Sequence, residues 1–575
     1  MRLLDLLRSP STSPRIHATL CAMRIAFILL LAASSAMARE TTLPPPDSAL
    51  HGYVLGRYAS ADDQADAANH YFSAAMSGSA RSEVARRAFD AALAAGDSQH
   101  ATAIARQLTT AGAADSEVAL VMLADAIDRR DWAAAARARA GIATAGYAAV
   151  IEPIGAAWML YAQGDRAAAL ARLDPAAFKG FVRSYVAEQR AHMLAADGQY
   201  AAAATAYGDL RAGSRNGYAL LRLGEADALA MAGDKAAALQ RLAGDDPSLA
   251  AARARLAAGR RIGALAPDAR HGLGWTMARL ATDLSREKPT DLALVFARVA
   301  TMLSPDVAAN WLVLGDVLAA GDHHGAALAA LDKVRADDPM AAAAKARRAE
   351  VLEAMGRDAD AGALLMAAAQ APGAGADAWL RLGDWHRRAD RFQAAVTAYG
   401  HAIAIAEAAG ADDWSLYFLR GSMKERSGDW PGAEADLRAA LVRAPDEPVV
   451  LNYLGYSLLD RGGAGDEAMA LIARAAKLRP GDGGITDSLG WSAFRAGRFA
   501  EAAATLEKAV ALEPEDPAII DHLGDAYWQI GRRIEARFRW QAALALEPDG
   551  KLQAALVQKL TVGRDAALAL AASGH

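Results

Sequence analysis

Cysteine is all but missing: Cys21 is the only one in 575 residues, so the chain can close no disulfide on itself and can build no multi-thiolate metal site. Aromatic residues make up only 6% of the sequence, and runs rich in β-branched residues are few, which leaves a sandwich or barrel little to build on. A long apolar run is lacking too. The stretch from Ile25 to Ala33 is well short of the roughly 20 residues needed to cross a bilayer. Neither sign of charge dominates, with 62 Lys and Arg against 67 Asp and Glu and a formal net charge of −5. No basic stripe interleaved with aromatics appears, and this excludes a nucleic-acid surface. What is abundant, from end to end, is Ala, Leu, Gly and Arg, a composition that points to one helical architecture.

The N-terminus reads as an address. From Met23 the chain has Arg24, the apolar stretch, and then Ala36-Met37-Ala38, the small-x-small pattern of a signal-peptidase site. Residues 1–38 are therefore expected to form a signal peptide with an extended leader, starting at Met1 or Met23, followed by a linker over 39–48 and a periplasmic location. Their removal takes away Arg2, Arg8, Arg15, Arg24 and Asp5 and leaves the remainder more negative. Leu20 stands where a lipobox needs a small residue before Cys21, and the apolar stretch follows the cysteine instead of leading to it; no lipid anchor is expected.

Period dominates everything after the leader. Gly421, Gly455, Gly490 and Gly524 recur at spacings of 34, 35 and 34, and Pro445, Pro480, Pro514 and Pro548 close the units. Ala433, Ala502 and Ala536 fall twelve residues after the glycine; in the longer unit Glu467 takes that offset and Ala468 follows. Trp311, Leu314, Gly315, Ala327, Leu331 and Pro339 form an earlier unit, and Trp379, Leu382, Gly383, Ala395, Tyr399 and Ala402 another, with a weaker one around Leu352 and Gly356. Leu55, Gly56, Ala68, Phe72 and Ala75 repeat the frame near the N-terminus. This pattern resembles the tetratricopeptide repeat (TPR). The resemblance implies an all-α superhelical solenoid of stacked antiparallel helix pairs, degenerate over 49–270, regular over 271–549 and capped by residues 550–575. The stretch 243–271 breaks the frame and is expected to be a seam between two stacks.

The recurring residue types have physical reasons. Glycine and alanine let helix backbones approach, while Leu489, Leu506, Phe538 and Trp540 are expected to fill the gaps to the next helix. The pairs Gly96-Asp97, Gly164-Asp165, Gly233-Asp234, Gly321-Asp322 and Gly428-Asp429 predict a left-handed glycine ending one helix and an aspartate capping the next. At Gly198, Gly356, Gly497 and Gly531 the glycine stands without the aspartate.

Catalytic patterns are sparse. Ser285-Arg286-Glu287-Lys288 fits S-x-x-K, but the companion motifs are missing and Pro289 follows at once, so a helix end is the better reading and a serine acyl-transfer enzyme around Ser285 the outlying one. His323 and His324 are adjacent at an inter-helix turn, a poor arrangement for a metal. His522 lies a turn from Asp525, with no nucleophile to serve. No phosphate loop, zinc-protease or dinucleotide motif occurs. The expectation is a protein that is not an enzyme and carries no cofactor or metal.

What remains is a surface. In the family resembled, the first helix of each unit lines a concave groove that holds partner segments. Register places Asn452, Asp487 and Asp521 in one row, Tyr456, Trp491 and Asp525 in the next, and Arg495 and Trp528 beyond them. Polar groups interleaved with Tyr and Trp suit a peptide groove. The alternative is that the aspartates sit at positive helix ends and the aromatics pack between units. The wording NYLGYSLLDRG, ITDSLGWSAFRAGRFAEA and DHLGDAYWQIGRRIEARFRWQAAL is more particular. It resembles exported proteobacterial TPR proteins, including outer-membrane adaptors that present cell-wall hydrolases to carboxyl-terminal processing proteases. That resemblance implies a periplasmic scaffold with a processing protease and hydrolases as partners, peripheral to the outer membrane; a component of polysaccharide export or outer-membrane assembly is the alternative.

Overall fold

The computed structural model describes residues 46–573 except 47, 63, 78–81, 143–145, 214–218, 245, 286–289, 372 and 463–464. The leader, its cleavage site, Cys21 and all but two residues of the linker lie outside the described residues. Those described form an all-α solenoid of stacked antiparallel helix pairs: thirty-one α-helices and one 3₁₀ turn at Pro175–Ala177, with no strand among them.

Helix ends follow local chemistry. Gly96, Gly164, Gly233 and Gly428 have φ between 80° and 96°, and Asp97, Asp165, Asp234 and Asp429 accept the backbone N–H three residues on. Gly321-Asp322 departs from this expectation. Gly321 continues the helical turn, its N–H bonded to the Val317 carbonyl at 3.2 Å; Asp322 itself takes the left-handed conformation at φ 62°, and His323 starts the next helix without a side-chain cap. At Gly198, Gly356, Gly497 and Gly531 the glycine is left-handed, as expected.

The repeat glycines are places where nothing larger fits. A Cβ on Gly490 would lie 2.7 Å from Leu506, one on Gly524 2.5 Å from Trp540, one on Gly383 2.5 Å from Tyr399 and one on Gly56 2.9 Å from Phe72. In each case the large side chain lies sixteen residues later, on the second helix of the same pair, and is buried against the glycine of the first. Phe538 was expected to share this role and does not: Trp540 takes the space, and Phe538 is 66% exposed.

The described chain divides into two compact units, each drawing on separated stretches. The first joins the helices up to Gln189 with Asp268–Val313. Here Trp158 is buried against Gly272, where a Cβ would lie 2.1 Å from its ring, and its indole N–H donates to Gln189 at 2.9 Å. Arg298 reaches the Ala94 carbonyl at 2.6 Å, and burial lowers its pKa to about 10. Arg279 pairs with Glu188, and Tyr185 donates to Asp283 at 2.5 Å.

The second unit joins Arg190–Pro267 with the chain from Leu314 onward. In the stretch 243–271 the helix Pro247–Ala257 ends in a non-helical run before Ala269. Asp227 holds that run by accepting the N–H groups of Gly263 and Ala264 at 3.0 and 2.8 Å, and His192 Nδ1 accepts from Ala266 at 3.1 Å. The tail forms two helices, Gly550–Val562 and Arg564–Ser573, with Leu556 buried in the cluster that contains Tyr527 and Trp540.

Candidate functional site

Successive first helices of the second unit run side by side, so residues about one period apart meet across them. The consequence is a ladder of charge with constant polarity. Asp316 pairs with Arg347 at 2.7 Å, Glu350 with Arg381 at 3.0 Å, Glu353 with Arg388 at 2.7 Å, Glu425 with Arg461 at 3.6 Å and Asp460 with Arg495 at 3.9 Å. The acid always belongs to the earlier helix and the base to the later one. These rungs are largely exposed, and each adds on the order of 0–1 kcal/mol.

Toward the C-terminus the same ladder goes inside. Asp487 and Asp521 do not cap their helices; Asp482 and Asp516 do, accepting backbone N–H groups at the first turn. Asp487 instead accepts from His522 Nδ1 of the next unit at 2.9 Å. The Trp491 ring lies 4.1 Å from that imidazole at 18° and 4.6 Å from Phe494 at 4°, a stack of three rings. Trp491 thus packs between units and is half-buried. Burial disfavours the charged form of His522, but the hydrogen bond it donates to Asp487 and the charges of Asp487, Asp521 and Asp525 outweigh it and raise the imidazole pKa above its usual value.

Asp521 and Asp525 are engaged from the tail. Lys559 bonds both oxygens of Asp521 at 2.7 and 2.8 Å and lies 2.9 Å from Asp525, which Arg564 meets at 3.0 Å. Burial, reinforced by Asp525, pushes the Asp521 carboxyl up, against the pull of Lys559. Trp528 donates to Asp565 at 3.1 Å and tilts against Trp540. His522, Lys559, Arg564 and Phe494 are therefore parts of this cluster that the repeat register alone had not assigned. The signal for Lys559 was available, because it falls 38 residues after Asp521, close to one period.

Asn452, Tyr456 and Arg495 lie outside the buried cluster, Arg495 on the exposed rung with Asp460. Asn452 is half-buried, and its Oδ1 is enclosed without a hydrogen-bond partner among the described residues. Tyr456 is half-buried; desolvation, with the charges of Asp460 and Asp487, holds its hydroxyl above the usual pKa. Arg495 is exposed. Further along the same face, a cleft of about 340 Å³ opens over Ala346, Ala349 and Leu365, with Glu350 and Glu353 facing Arg381 and Arg388. Ser285 caps its helix by donating to the Ala281 carbonyl at 2.8 Å, while Lys288 lies outside the described residues. Among the described residues no group of three or more His, Cys, Asp or Glu is placed to hold a metal.

The chain is similar in part to several known proteins. A TPR repeat-containing protein of Pseudomonas aeruginosa is 42% identical over 89 residues; that stretch spans 16% of this chain and 15% of that protein. Among solved structures, a thermophilic TPR protein of Thermus thermophilus is 22% identical, covered in full by 33% of this chain at a TM-score of 0.29. The Cut9–Hcn1 hetero-tetramer of the APC/C is 13% identical over 92% of this chain and 98% of that one, at a TM-score of 0.35. The tetratricopeptide-repeat family model matches residues 493–560, a stretch that includes Phe494, Asp521, His522, Asp525 and Lys559 of the buried cluster.

Proposed function

We propose that this protein is a non-enzymatic periplasmic scaffold that holds extended segments of protein partners along the first-helix face of its second unit. The observation that carries the reading is the face shared by two neighbouring first helices, where half-buried Asn452, Tyr456 and Trp491 stand beside exposed Arg495. An extended backbone can hydrogen-bond to the accessible part of such a polar row, and the aromatics offer contact area. Asp487, Asp521 and Asp525 then hold the platform in shape, and the open surface belongs to Asn452, Tyr456, Trp491 and Arg495. The wording of the C-terminal repeats makes a carboxyl-terminal processing protease and its cell-wall hydrolase substrates the partners to look for.

The test is crosslinking in the native periplasm followed by mass spectrometry, with an Asn452→Ala/Tyr456→Ala/Arg495→Ala variant beside the wild type. Enrichment of a protease or hydrolase that the variant loses, at unchanged helical circular dichroism, supports the reading. Recovery of the same partners by both moves the site elsewhere; enrichment of export or outer-membrane assembly subunits reassigns the pathway.

A further inference from the structure

The second helix of the last full repeat, Arg533–Ala545, departs from its counterparts on the side turned away from the core. Ten and fourteen residues after Gly524 it carries Ile534 and Phe538, 71% and 66% exposed. The same offsets hold Ala500 and Ala504 after Gly490, Pro431 and Ala435 after Gly421, and Gln393 and Thr397 after Gly383. Packing does not require the change, because Ala536, Trp540 and Ala543 bury the opposite side. Ile534 and Phe538 are one turn apart and share one stripe.

Charge on this helix is also one-sided, with Arg533, Arg537 and Arg539 against one acid. Its one acid, Glu535, is held by Arg532 at 3.1 Å. Arg533, Arg537 and Arg539 form no ion pair among the described residues: Arg533 lies over the Trp528 ring at 4.9 Å, and Arg537 donates to the Leu560 carbonyl at 2.5 Å. On the second helix three pairs earlier Arg438 meets Glu434 and Glu467, although Arg222, Arg253 and Arg391 of this unit also meet carbonyls or rings instead of carboxylates among the described residues. An exposed apolar stripe flanked by uncompensated guanidinium groups is the pattern of a helix that lies in a membrane interface.

We propose that Arg533–Ala545 is a peripheral docking surface for anionic phospholipid, with Ile534 and Phe538 entering the acyl boundary and Arg533 and Arg537 meeting lipid phosphates. Two side chains offer far less than the roughly 800 Å² per partner that a specific protein interface covers. A lipid surface needs no matching shape, and it combines apolar insertion with charge attraction. No described helix is long and apolar enough to cross a membrane, so the contact is superficial. This inference does not rest on the groove reading.

The experiment is vesicle flotation of the full chain, compared with Ile534→Ser/Phe538→Ser and Arg533→Gln/Arg537→Gln variants that share every other segment. Vesicles of phosphatidylcholine with about 30% phosphatidylglycerol are set against phosphatidylcholine alone. The expected result is flotation with the anionic vesicles that falls about tenfold in each variant and weakens in high salt, at unchanged circular dichroism. Equal flotation of wild type and the Ile534/Phe538 variant, or no flotation of the wild type, overturns the proposal. Unchanged flotation together with loss of a crosslinked protein from the variant also overturns it and assigns the stripe to a protein partner.

Discussion

Lys559 donates to both carboxylate oxygens of Asp521 across 38 residues, with each side chain nine-tenths buried. One ammonium thus sits between two buried carboxylates, since Asp525 is within 2.9 Å of the same nitrogen.

Removing that cation should cost more than any exposed rung of the ladder. Lys559→Met leaves Asp521 without its ion-pair partner, and a loss of roughly 3 kcal/mol or more is expected. Urea denaturation followed by tryptophan fluorescence reads it. Adding Asp521→Asn to Lys559→Met should recover part of the loss, because the orphaned charge is gone.

The His522–Asp487 pair makes the C-terminal repeats sensitive to pH. The folded-state pKa of His522 lies above its ordinary value of 6.5, so its contribution is fully present below about pH 6.5 and fades as pH rises through the folded value. The thermal midpoint of this region should fall between pH 6 and 8 (roughly), and His522→Gln should flatten that slope. An NMR titration of the imidazole checks the direction independently: a value below that of a model peptide would refute it.

Substituting the repeat glycine separates packing from helix propensity. Gly524→Ala gains up to about 1 kcal/mol of propensity but drives a Cβ to 2.5 Å from Trp540. A net loss of ~1–3 kcal/mol is expected. Gly550→Ala, which meets nothing within 4 Å, should stay within about 0.5 kcal/mol of wild type.

The non-helical run after Ala257 is held at Gly263 and Ala264 by one carboxylate. Asp227→Ala strips the buried Ala264 N–H and its neighbour Gly263 of their acceptor, at a cost of about 1–3 kcal/mol. Trypsin should then cut after the exposed Arg260 or Arg261 faster than in the wild type. His192, whose pKa burial lowers to about 3, should stay neutral throughout and hold Ala266.

Repetition made most of the fold legible. A glycine that must touch a large residue sixteen positions on leaves the same mark in several units, as Gly490 with Leu506 and Gly524 with Trp540 do. Register also placed Asp487, Trp491, Asp521 and Asp525 on adjoining first helices, where the structure has them. It could not say what each one faced. His522 looked like a neighbour of Asp525 along its own helix, yet its hydrogen bond goes to Asp487 of the preceding unit.

By itself the sequence determined helix pairs, their period and their turns, because those depend on contacts within some forty residues and on backbone preferences of glycine and aspartate. Tertiary structure alone decided which charges are buried, that Trp540 and not Phe538 fills the gap beside Gly524, and that Asp268–Val313 joins the unit of helices far upstream. Burial and long-range docking are set by which surfaces meet in space, and spacing along the chain carries no record of that.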